Sequence, residues 1–334
     1  MVRIKGYAAS AFAIIAWGLT FASTRSLLSG FSALEIMVLR FIMAWAVLRL
    51  MEVLRRPDQT ADEASRKSAG RRLGKLCDEL LFAGMGITGI VAYQFLENCA
   101  LYYTNATNVA ILTSFAPIAT AILARVFTND RSLSLPLVIG SLIAVLGASL
   151  VALDGASNLQ MRPLGDFMAL SAMFSWGAYS VLIDKVNAGG YDQITVMRKA
   201  FFWSLVIIAP IAIWGTSDAA YHALDGSFRV TLAGKVNAER FSIPLNWMNI
   251  LFLGVFASAA CFVLWNYACK YLGVVYATIC LYLIPIIGVI FAAMFLGESP
   301  TAMSVTGGLI ITIGVVIATA KHKRIVKNAP NTYK

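Results

Sequence analysis

The sequence predicts an all-α integral membrane protein with ten transmembrane helices, arranged as two inverted five-helix repeats. Three observations support this fold class. Apolar residues make up 59% of the 334-residue chain and charged residues only 13%, about half the charged fraction of an ordinary soluble domain. Ten stretches reach the roughly 20 apolar residues that are needed to cross a bilayer. One stretch also recurs later in the chain, which indicates an internal duplication.

The ten predicted spans take up most of the chain and leave little for a soluble domain. The first span follows Arg3 and Lys5 as a signal peptide would, but its length and the nine further spans predict a retained helix. In chain order, the spans cover residues 5–24, 32–54, 80–102, 106–127, 133–153, 165–184, 192–214, 246–269, 273–295 and 302–320.

The duplication appears when the sequence is shifted against itself by 168 residues. This shift places Leu96–Pro117 on Leu264–Pro285 without a gap. A shift of 159 residues matches the opening helices in the same way. The identical or similar pairs include Asn98 with Asn266, Pro117 with Pro285, Trp17 with Trp176, and Arg40 with Lys199.

The duplication also predicts how the halves are oriented. Each half contains five spans, so the second half must lie upside down relative to the first, about a pseudo-two-fold axis in the membrane plane. We therefore expect a first repeat over 1–154, a second repeat over 164–320 and a basic tail over 321–334. Spans five and ten are rich in small residues, which predicts close helix packing within one protomer or between two protomers, as a monomer or a homodimer.

The distribution of positive charge predicts the orientation in the membrane. With the N-terminus inside, 19 of the 27 Lys and Arg residues lie at inner span ends and five at outer ends. Positive charge near span ends is retained on the cytoplasmic side, so both termini are expected in the cytoplasm. Orientation also accounts for the net charge of +10, and nucleic acid need not be invoked as a partner.

Two segments outside the spans are long enough to have roles of their own. Segment 55–78 is polar and basic, and is expected to be a cytoplasmic loop that signals topology or contacts anionic lipid. Segment 215–245 is the longest outer loop and is expected to be a lid or spacer. None of the five cysteines falls in an outer loop, so no disulfide framework is predicted.

Two prolines near the middles of spans four and nine predict breaks in those helices. Pro117 and Pro285 each remove one backbone N–H and free the carbonyl four residues earlier. Such breaks persist in a membrane only where protein or a watery cavity satisfies the freed groups. The prolines are therefore expected either to line a solute path or to provide a kink for packing.

Four ionisable residues lie deep in the predicted spans, where each costs about 2.5–3.5 kcal/mol or more. They are Arg40 in span two, Glu97 in span three, and Arg198 and Lys199 in span seven. The helical rise places Arg40 and Glu97 at similar depth, which predicts that they are partners. Because Trp265 occupies the position equivalent to Glu97, Lys199 is expected to have no matched acid.

The membrane interior is thus expected to carry three cations and one anion. A vestibule with this balance favours a substrate that carries a carboxylate or a phosphate. In the alternative interpretation, Arg40 and Glu97 form a structural pair, and Arg198 and Lys199 extend to the inner headgroups.

Polar and aromatic residues mark the helices that are expected to face the interior. Tyr93, Glu97 and Asn98 belong to a polar stripe on span three, which forms a pathway wall or hydrogen-bonds a neighbouring helix. Asn266 supplies a matching amide in span eight. The three aromatic residues that lie deep in their helices, and that either clamp an apolar solute or pack in the core, are Trp17, Trp176 and Tyr179.

Short motifs follow one another in a fixed order along the chain. They are Trp-Gly-Leu-Thr-Phe from Trp17, Leu-Arg-Phe from Leu39, Ala-Leu-Tyr-Tyr-Thr from Ala100 with Pro117 after it, and Leu-Gly-Glu from Leu296. In this order and spacing they resemble the EamA-type repeats of the drug/metabolite transporter superfamily. The resemblance implies a ten-helix transporter with a central cavity between its halves. In bacteria, it implies an exporter of amino acids or related metabolites in the cytoplasmic (inner) membrane.

The leading hypothesis is a secondary transporter of a small amphipathic metabolite, such as an amino acid, that works by alternating access. Glu97 is expected either to carry a coupling proton or to hold Arg40 in place. The other expected substrate contacts are Arg40 and Lys199 for a carboxylate, Tyr93, Asn98 and Asn266 for hydrogen bonds, and Trp17, Trp176 and Tyr179 for an apolar wall.

Two alternatives come from other functional classes. A multidrug exporter of cations would need an acidic cavity, which the predicted charge balance opposes, although Glu97 alone would serve. An intramembrane enzyme would need a nucleophile with a base, or a metal site. The only histidines are His222 in an outer loop and His322 in the tail, and neither HExxH nor GxSxG occurs. No enzyme activity, metal or cofactor is therefore expected.

Overall fold

The structure, a computed structural model, describes residues 2–27, 30–31, 33–55, 75–104, 106–128, 133–154, 162–214, 238–295 and 299–327. The described residues are helical, with no β-strand among them. Most of the predicted loops 55–78 and 215–245 and the end of the tail lie outside these ranges.

Fourteen α-helices follow one another along these described ranges, with short π-helical and 3₁₀ segments between some of them. The π-helical segments are Gly86–Ala92 and Phe252–Ala260, and the 3₁₀ segments are Ala238–Phe241 and Cys280–Leu283. The α-helices are α1 (Val2–Leu27), α2 (Ala33–Leu54), α3 (Lys75–Met85), α4 (Tyr93–Tyr103), α5 (Ala106–Thr113), α6 (Ala116–Phe127), α7 (Leu135–Leu153), α8 (Pro163–Gly189), α9 (Gln193–Trp214), α10 (Pro244–Leu251), α11 (Cys261–Leu272), α12 (Val274–Ile279), α13 (Ile284–Phe295) and α14 (Ala302–Lys327).

Each of the ten predicted spans coincides with helical structure, and the all-helical membrane fold is confirmed. Among the described residues, seven helical stretches are long and apolar enough to cross a membrane, and Ile4–Thr20 is a shorter apolar helix. Helices α2 and α9 contain charged residues such as Arg40 and Arg198, which lower their hydropathy. The count of ten membrane crossings therefore stays a prediction.

The chain divides into two compact units. Unit 1 comprises Met1–Gly18, Ala92–Asp184 and Tyr267–Lys334, and unit 2 comprises Leu19–Val91 and Lys185–Asn266. Each unit thus combines helices from both predicted repeats. The inverted relationship between the repeats stays a prediction.

Unit 1 contains a close pair of helices, α7 and α14, that pack along their length. Glycines allow this approach: a Cβ at Gly147 would lie 2.6 Å from the carbonyl oxygen of Gly307, and one at Gly140 would lie 2.5 Å from that of Gly314. These small residues therefore serve packing within one protomer. Exposed apolar side chains on the other faces of the pair, as expected for contact with lipid, include Leu135, Leu142, Leu146, Leu309 and Val316.

Unit 2 is built around α2 and α9, which pack on each other. Its core is aromatic. The ring centres of Phe41 and Phe201 lie 5.9 Å apart, and those of Phe201 and Phe262 lie 5.6 Å apart. All three side chains are buried. Trp265, a large fully buried side chain, belongs to the same unit.

The ends of two elements differ from the sequence prediction. Helix α3 begins at Lys75, inside the predicted loop 55–78, because its first turn is held by α9 and the residues before it: Tyr191 donates to Asp78 Oδ1 at 2.5 Å, and Lys199 pairs with Glu79. Helix α14 continues to Lys327, so the first part of the predicted tail is helical.

The α7–α14 contact makes a testable prediction about Gly314. A Cβ there would lie 2.5 Å from the Ala144 amide nitrogen and 2.6 Å from the Gly140 carbonyl oxygen, so Gly314→Ala must push the two helices apart. We expect it to reduce the free energy of unfolding by roughly 1–3 kcal/mol. Thermal unfolding of purified protein in detergent measures this change.

Gly308, six residues earlier on the same helix, provides the matched control. A Cβ there would meet only Ile286, at 3.8 Å. Gly308→Ala should leave stability unchanged or raise it by about 0.5–1 kcal/mol, because alanine favours the helix. Equal destabilisation by both variants would contradict the packing argument.

A second prediction concerns Asp154, which lies just after α7 and outside the spans. Its Oδ2 accepts hydrogen bonds from Ser304 and from Thr301, the latter at 2.6 Å, and these bonds lower the pKa of the carboxyl below its ordinary value of 3.8. A lowered pKa stabilises the fold above the unfolded-state value, and the gain is lost as pH falls through the folded-state value. Asp154→Asn should therefore make the free energy of unfolding less dependent on pH below about pH 4. An identical pH dependence of the free energy of unfolding in the wild type and in Asp154→Asn would refute this role.

Candidate functional site

Aromatic side chains from three helices meet around Trp176 in unit 1. The centre of the Trp176 ring lies 5.1 Å from the ring centre of Tyr93 of α4 and 5.3 Å from that of Tyr179 of α8. It lies 5.8 Å from the ring centre of Trp17 of α1, and these two rings meet edge-on. Trp176 and Tyr179 share one face of α8 because they are three residues apart. The three aromatic residues expected to form an apolar wall therefore do come together, with Tyr93 added. We call Trp17, Tyr93, Trp176 and Tyr179 the aromatic cluster.

Burial divides the aromatic cluster into a floor and an accessible part. Tyr179 is fully buried and Trp176 is 4% exposed, whereas Trp17 and Tyr93 are half-buried. The accessible part is thus formed by Trp17 and Tyr93. Direct contact between Tyr179 and a substrate stays a prediction, and in this conformation Tyr179 is a core residue.

The carboxylate of Glu97 lies beside the aromatic cluster. Glu97 follows Tyr93 by one turn of α4, and the Tyr93 hydroxyl donates to Glu97 Oε1 at 3.3 Å. Glu97 and the adjacent Asn98 are half-buried. A carboxylate next to aromatic faces is suited to bind a positively charged group. The predicted pairing of Glu97 with Arg40 would join residues of different units and stays a prediction.

In unit 2, Arg40 contacts a buried hydroxyl. Its Nε donates to Ser258 Oγ at 2.9 Å, and Ser258 lies in the π-helical segment Phe252–Ala260. Arg40 itself is half-buried and Ser258 is fully buried. A bond at Nε fixes the plane of the guanidinium group, which is the group that a carboxylate binds.

The expectation that Lys199 has no matched acid is wrong. Lys199 Nζ pairs with Glu79 Oε1 of α3, and Glu79 Oε2 also accepts a hydrogen bond from Trp203 Nε1 at 3.1 Å. The ammonium group lies over the Phe82 ring, 5.0 Å from its centre. Sequence reasoning missed Glu79 because the predicted span three began at residue 80, just after this residue.

The neighbouring Arg198 is also paired. Its Nε lies 2.8 Å from Glu52 Oε2, and Glu52 in addition accepts hydrogen bonds from Arg49 at 2.6 Å and from Thr195 at 3.1 Å. The expected excess of three cations over one anion is therefore wrong for these described residues, because Glu52 and Glu79 balance Arg198 and Lys199.

Asn266 occupies a different environment from the one expected. It is fully buried in unit 2, and its Nδ2 donates to the sulfur of Met197 at 3.2 Å. In this conformation it contributes to the core of the unit. Its predicted contact with substrate stays a prediction.

The helices are interrupted next to both prolines. Helix α5 ends at Thr113 and α6 begins at Ala116, with Pro117 in its first turn. In the second half a 3₁₀ segment, Cys280–Leu283, separates α12 from α13, in which Pro285 is the second residue. Both interruptions belong to unit 1. Whether they line a solute path stays a prediction.

The two π-helical segments are a feature that sequence reasoning missed. They occupy Gly86–Ala92 in span three and Phe252–Ala260 in span eight, and all of their residues except Ala92 belong to unit 2. The 168-residue shift places Gly86 on Gly254, so one signal was present in the sequence. Among the described residues, no cluster of three or more His, Cys, Asp or Glu side chains is placed to hold a metal ion.

Comparison with known proteins identifies the family. The family model described as "EamA-like transporter family" matches residues 4–153 and again residues 163–320. A solved structure titled only "Crystal structure of protein" has a TM-score of 0.70 at 16% identity and covers 97% of this chain and 98% of its own. This likeness concerns the fold alone.

Several relatives are transporters by name. A "Probable terminal-alkyne amino-acid exporter" of Streptantibioticus cattleyicolor is 28% identical over 74% of this chain and 75% of its own length. The "Uncharacterized transporter YdfC" of Bacillus subtilis is 24% identical over 93% and 90%. An "Uncharacterized transporter" of Archaeoglobus fulgidus is 28% identical over 71% and 74%. The family confirms that a transporter, and not an enzyme, is the correct class. The chain therefore belongs to the EamA-like transporter family and is a multi-pass membrane transporter.

Proposed function

We propose that this protein exports a small amphipathic metabolite, an amino acid or a close relative of one, by alternating access. It would act in the bacterial cytoplasmic membrane with both termini inside, the orientation that its 19 inner and five outer positive charges favour. The similarity to a protein named as a probable amino-acid exporter supports the substrate class.

The observation that carries the proposal is the aromatic cluster of unit 1 with Glu97 beside it. The rigid floor formed by Trp176 and Tyr179 presents Trp17 and Tyr93, both half-buried, to an apolar side chain. The Glu97 carboxylate, one turn from Tyr93, would bind the ammonium group of the same solute. An amino acid carries both an apolar part and an ammonium group, which matches these two features.

Unit 2, taken by itself, carries two cations that are candidates for binding a substrate carboxylate. Arg40 is the first candidate, because Ser258 fixes its guanidinium plane. Lys199 is paired with Glu79, so a substrate carboxylate would have to share its ammonium group with Glu79. The half-buried Asn98 of α4 would add hydrogen bonds. The helix interruptions at Pro117 and Pro285 would give unit 1 positions at which helices bend during transport.

A second candidate is an exporter of organic cations, and one observation favours it. Glu52 and Glu79 balance Arg198 and Lys199, so the positive interior that opposed cationic substrates is reduced. Glu97 with Trp17, Tyr93 and Trp176 suits any amine. The two candidates differ in whether a carboxylate on the solute is required.

The first prediction compares amino-acid release by cells with and without the protein. Cells that produce it should release one or more amino acids faster, and Trp17→Ala should slow that release about tenfold, as expected for the loss of an aromatic contact of about 1.4 kcal/mol. Quantitative mass spectrometry of the medium measures the release. Phe12→Ala is the matched control, because Phe12 lies on the same helix and is 44% exposed.

Release of no amino acid above the background level would reject the amino-acid proposal. If only cationic amines were released, the second candidate would replace the first. Equal slowing by Trp17→Ala and Phe12→Ala, at equal amounts of protein in the membrane, would show that the aromatic cluster has no special part in transport.

The second prediction concerns proton coupling at Glu97. If this carboxylate carries the coupling proton, transport into the medium of proteoliposomes should respond to an imposed pH gradient. Glu97→Gln, which has nearly the same shape and no titratable proton, should abolish that response. Glu97→Asp keeps the carboxylate and should retain a part of it. An unchanged gradient response in Glu97→Gln would exclude Glu97 from coupling.

A further inference from the structure

The π-helical segment Phe252–Ala260 contacts α2 at two points on one face. A Cβ at Gly254 would lie 2.6 Å from Met43 Cβ, so only glycine permits this approach of the backbone. About one turn later, Ser258 Oγ accepts the hydrogen bond from Arg40 Nε at 2.9 Å. Met43 and Arg40 are three residues apart and share one face of α2. The close contact at Gly254 thus holds the hydroxyl of Ser258 where Arg40 can reach it.

We propose that Gly254 and Ser258 are positioning residues for transport, which orient the Arg40 guanidinium to receive the carboxylate of the substrate. This inference rests on the proposed function. It adds two residues of span eight that act on the substrate through Arg40 and that no sequence motif identified.

The chemistry of the contact supports an orienting role. An arginine side chain has several rotatable bonds, and a two-point bond to a carboxylate requires its planar end to be held in one direction. A hydrogen bond at Nε, the atom that joins the guanidinium to the rest of the side chain, fixes the direction of that plane. Ser258 is fully buried and sits on a helix that is itself docked through Gly254. The acceptor is therefore rigid, which is what orientation of the guanidinium requires.

One part of this arrangement, the close approach of a glycine in a π-helical segment, recurs in the other predicted repeat. The π-helical segment Gly86–Ala92 contacts α9, the helix that carries Lys199. A Cβ at Gly86 would lie 2.5 Å from the carbonyl oxygen of Ala200. The Ser204 hydroxyl of α9 lies 2.8 Å from the Ala200 carbonyl oxygen and 3.3 Å from that of Gly86.

Sequence shifts relate the two arrangements. Gly86 and Gly254 are equivalent under the 168-residue shift, and Arg40 and Lys199 are equivalent under the 159-residue shift. In each case the π-helical segment of one predicted repeat docks, through a glycine, on the helix that carries the deep cation of the other. The glycine contact is thus present in both places, whereas the serine that bonds the cation is specific to span eight, because Ile90 is equivalent to Ser258.

The test uses purified protein in proteoliposomes and probes that differ only in the carboxylate. The probes are L-leucine and L-phenylalanine with their carboxamides, L-leucinamide and L-phenylalaninamide, which keep the ammonium group and the side chain. Ser258→Ala should raise the half-saturation concentration of the acids about tenfold and change that of the amides less than twofold. Ser258→Thr keeps the hydroxyl and should restore transport of the acids.

Further variants separate orientation from general stability. If Ser258 acts through Arg40, then Ser258→Ala should have no additional effect on acid transport in an Arg40→Lys background. Ser258→Cys is a second probe that keeps the volume of the side chain but weakens the acceptor. Ser149→Ala is the matched control, because the Ser149 hydroxyl bonds only a carbonyl oxygen of its own helix, that of Val145. Thermal unfolding confirms that each variant is folded.

The outcomes distinguish this inference from the proposed function. Wild-type transport of neither acids nor amides would reject the proposed function, and this inference with it. Transport of the acids by wild type with an unchanged half-saturation concentration in Ser258→Ala and Ser258→Cys would reject the positioning role alone. An equal loss for acids and amides would likewise reject it, because orientation of Arg40 matters only to a carboxylate.

Discussion

Charges inside this protein are tolerated because other parts of the same chain bind them. A hydrocarbon environment offers no water to compensate a buried guanidinium or ammonium group, so each one requires a partner from the protein. Lys199 pairs with Glu79, Arg198 pairs with Glu52, and Arg40 donates to Ser258. All of these contacts join helices that are distant in sequence. These contacts thereby link neighbouring helices of unit 2 to one another.

The same constraint applies to the backbone where helices are interrupted. Before Pro117, two backbone hydrogen bonds join residues that are three apart instead of four. The Ser114 N–H donates to the Ile111 carbonyl at 3.2 Å, and the Phe115 N–H donates to the Leu112 carbonyl at 3.1 Å. The carbonyl groups of Ile111 and Leu112 are thus satisfied within the interruption by bonds of the 3₁₀ type. Glycines have a different effect, because they allow helices such as α7 and α14 to pack with their backbones in contact. The protein therefore contains both interrupted helices and helices that pack at close range.

The sequence predicted the features that depend on composition and repetition. Helical spans follow from apolar length, the interruptions follow from Pro117 and Pro285, and the aromatic cluster follows from Trp17 and Trp176 lying far from the interfaces. The partners of the deep cations could not be predicted, because Glu79 lies at a span end and its pairing depends on how α3 packs against α9. The π-helical segments were also missed. Their geometry results from packing around a glycine, and no hydrophobic period distinguishes them from α-helix.

The duplicated sequence predicts a symmetric scaffold, but the contacts described for its two equivalent cations are not the same. Arg40 contacts the neutral hydroxyl of Ser258, whereas its equivalent Lys199 contacts the carboxylate of Glu79. The described contacts of the two cations therefore differ, although the 159-residue shift makes their sequence positions equivalent. A solute with a charged end and an apolar end is itself asymmetric, and a strictly symmetric site would bind it equally in two opposed orientations. Different contacts at the two cations would remove this ambiguity, while a glycine, Gly86 or Gly254, docks a π-helical segment on each of the two helices that carry them.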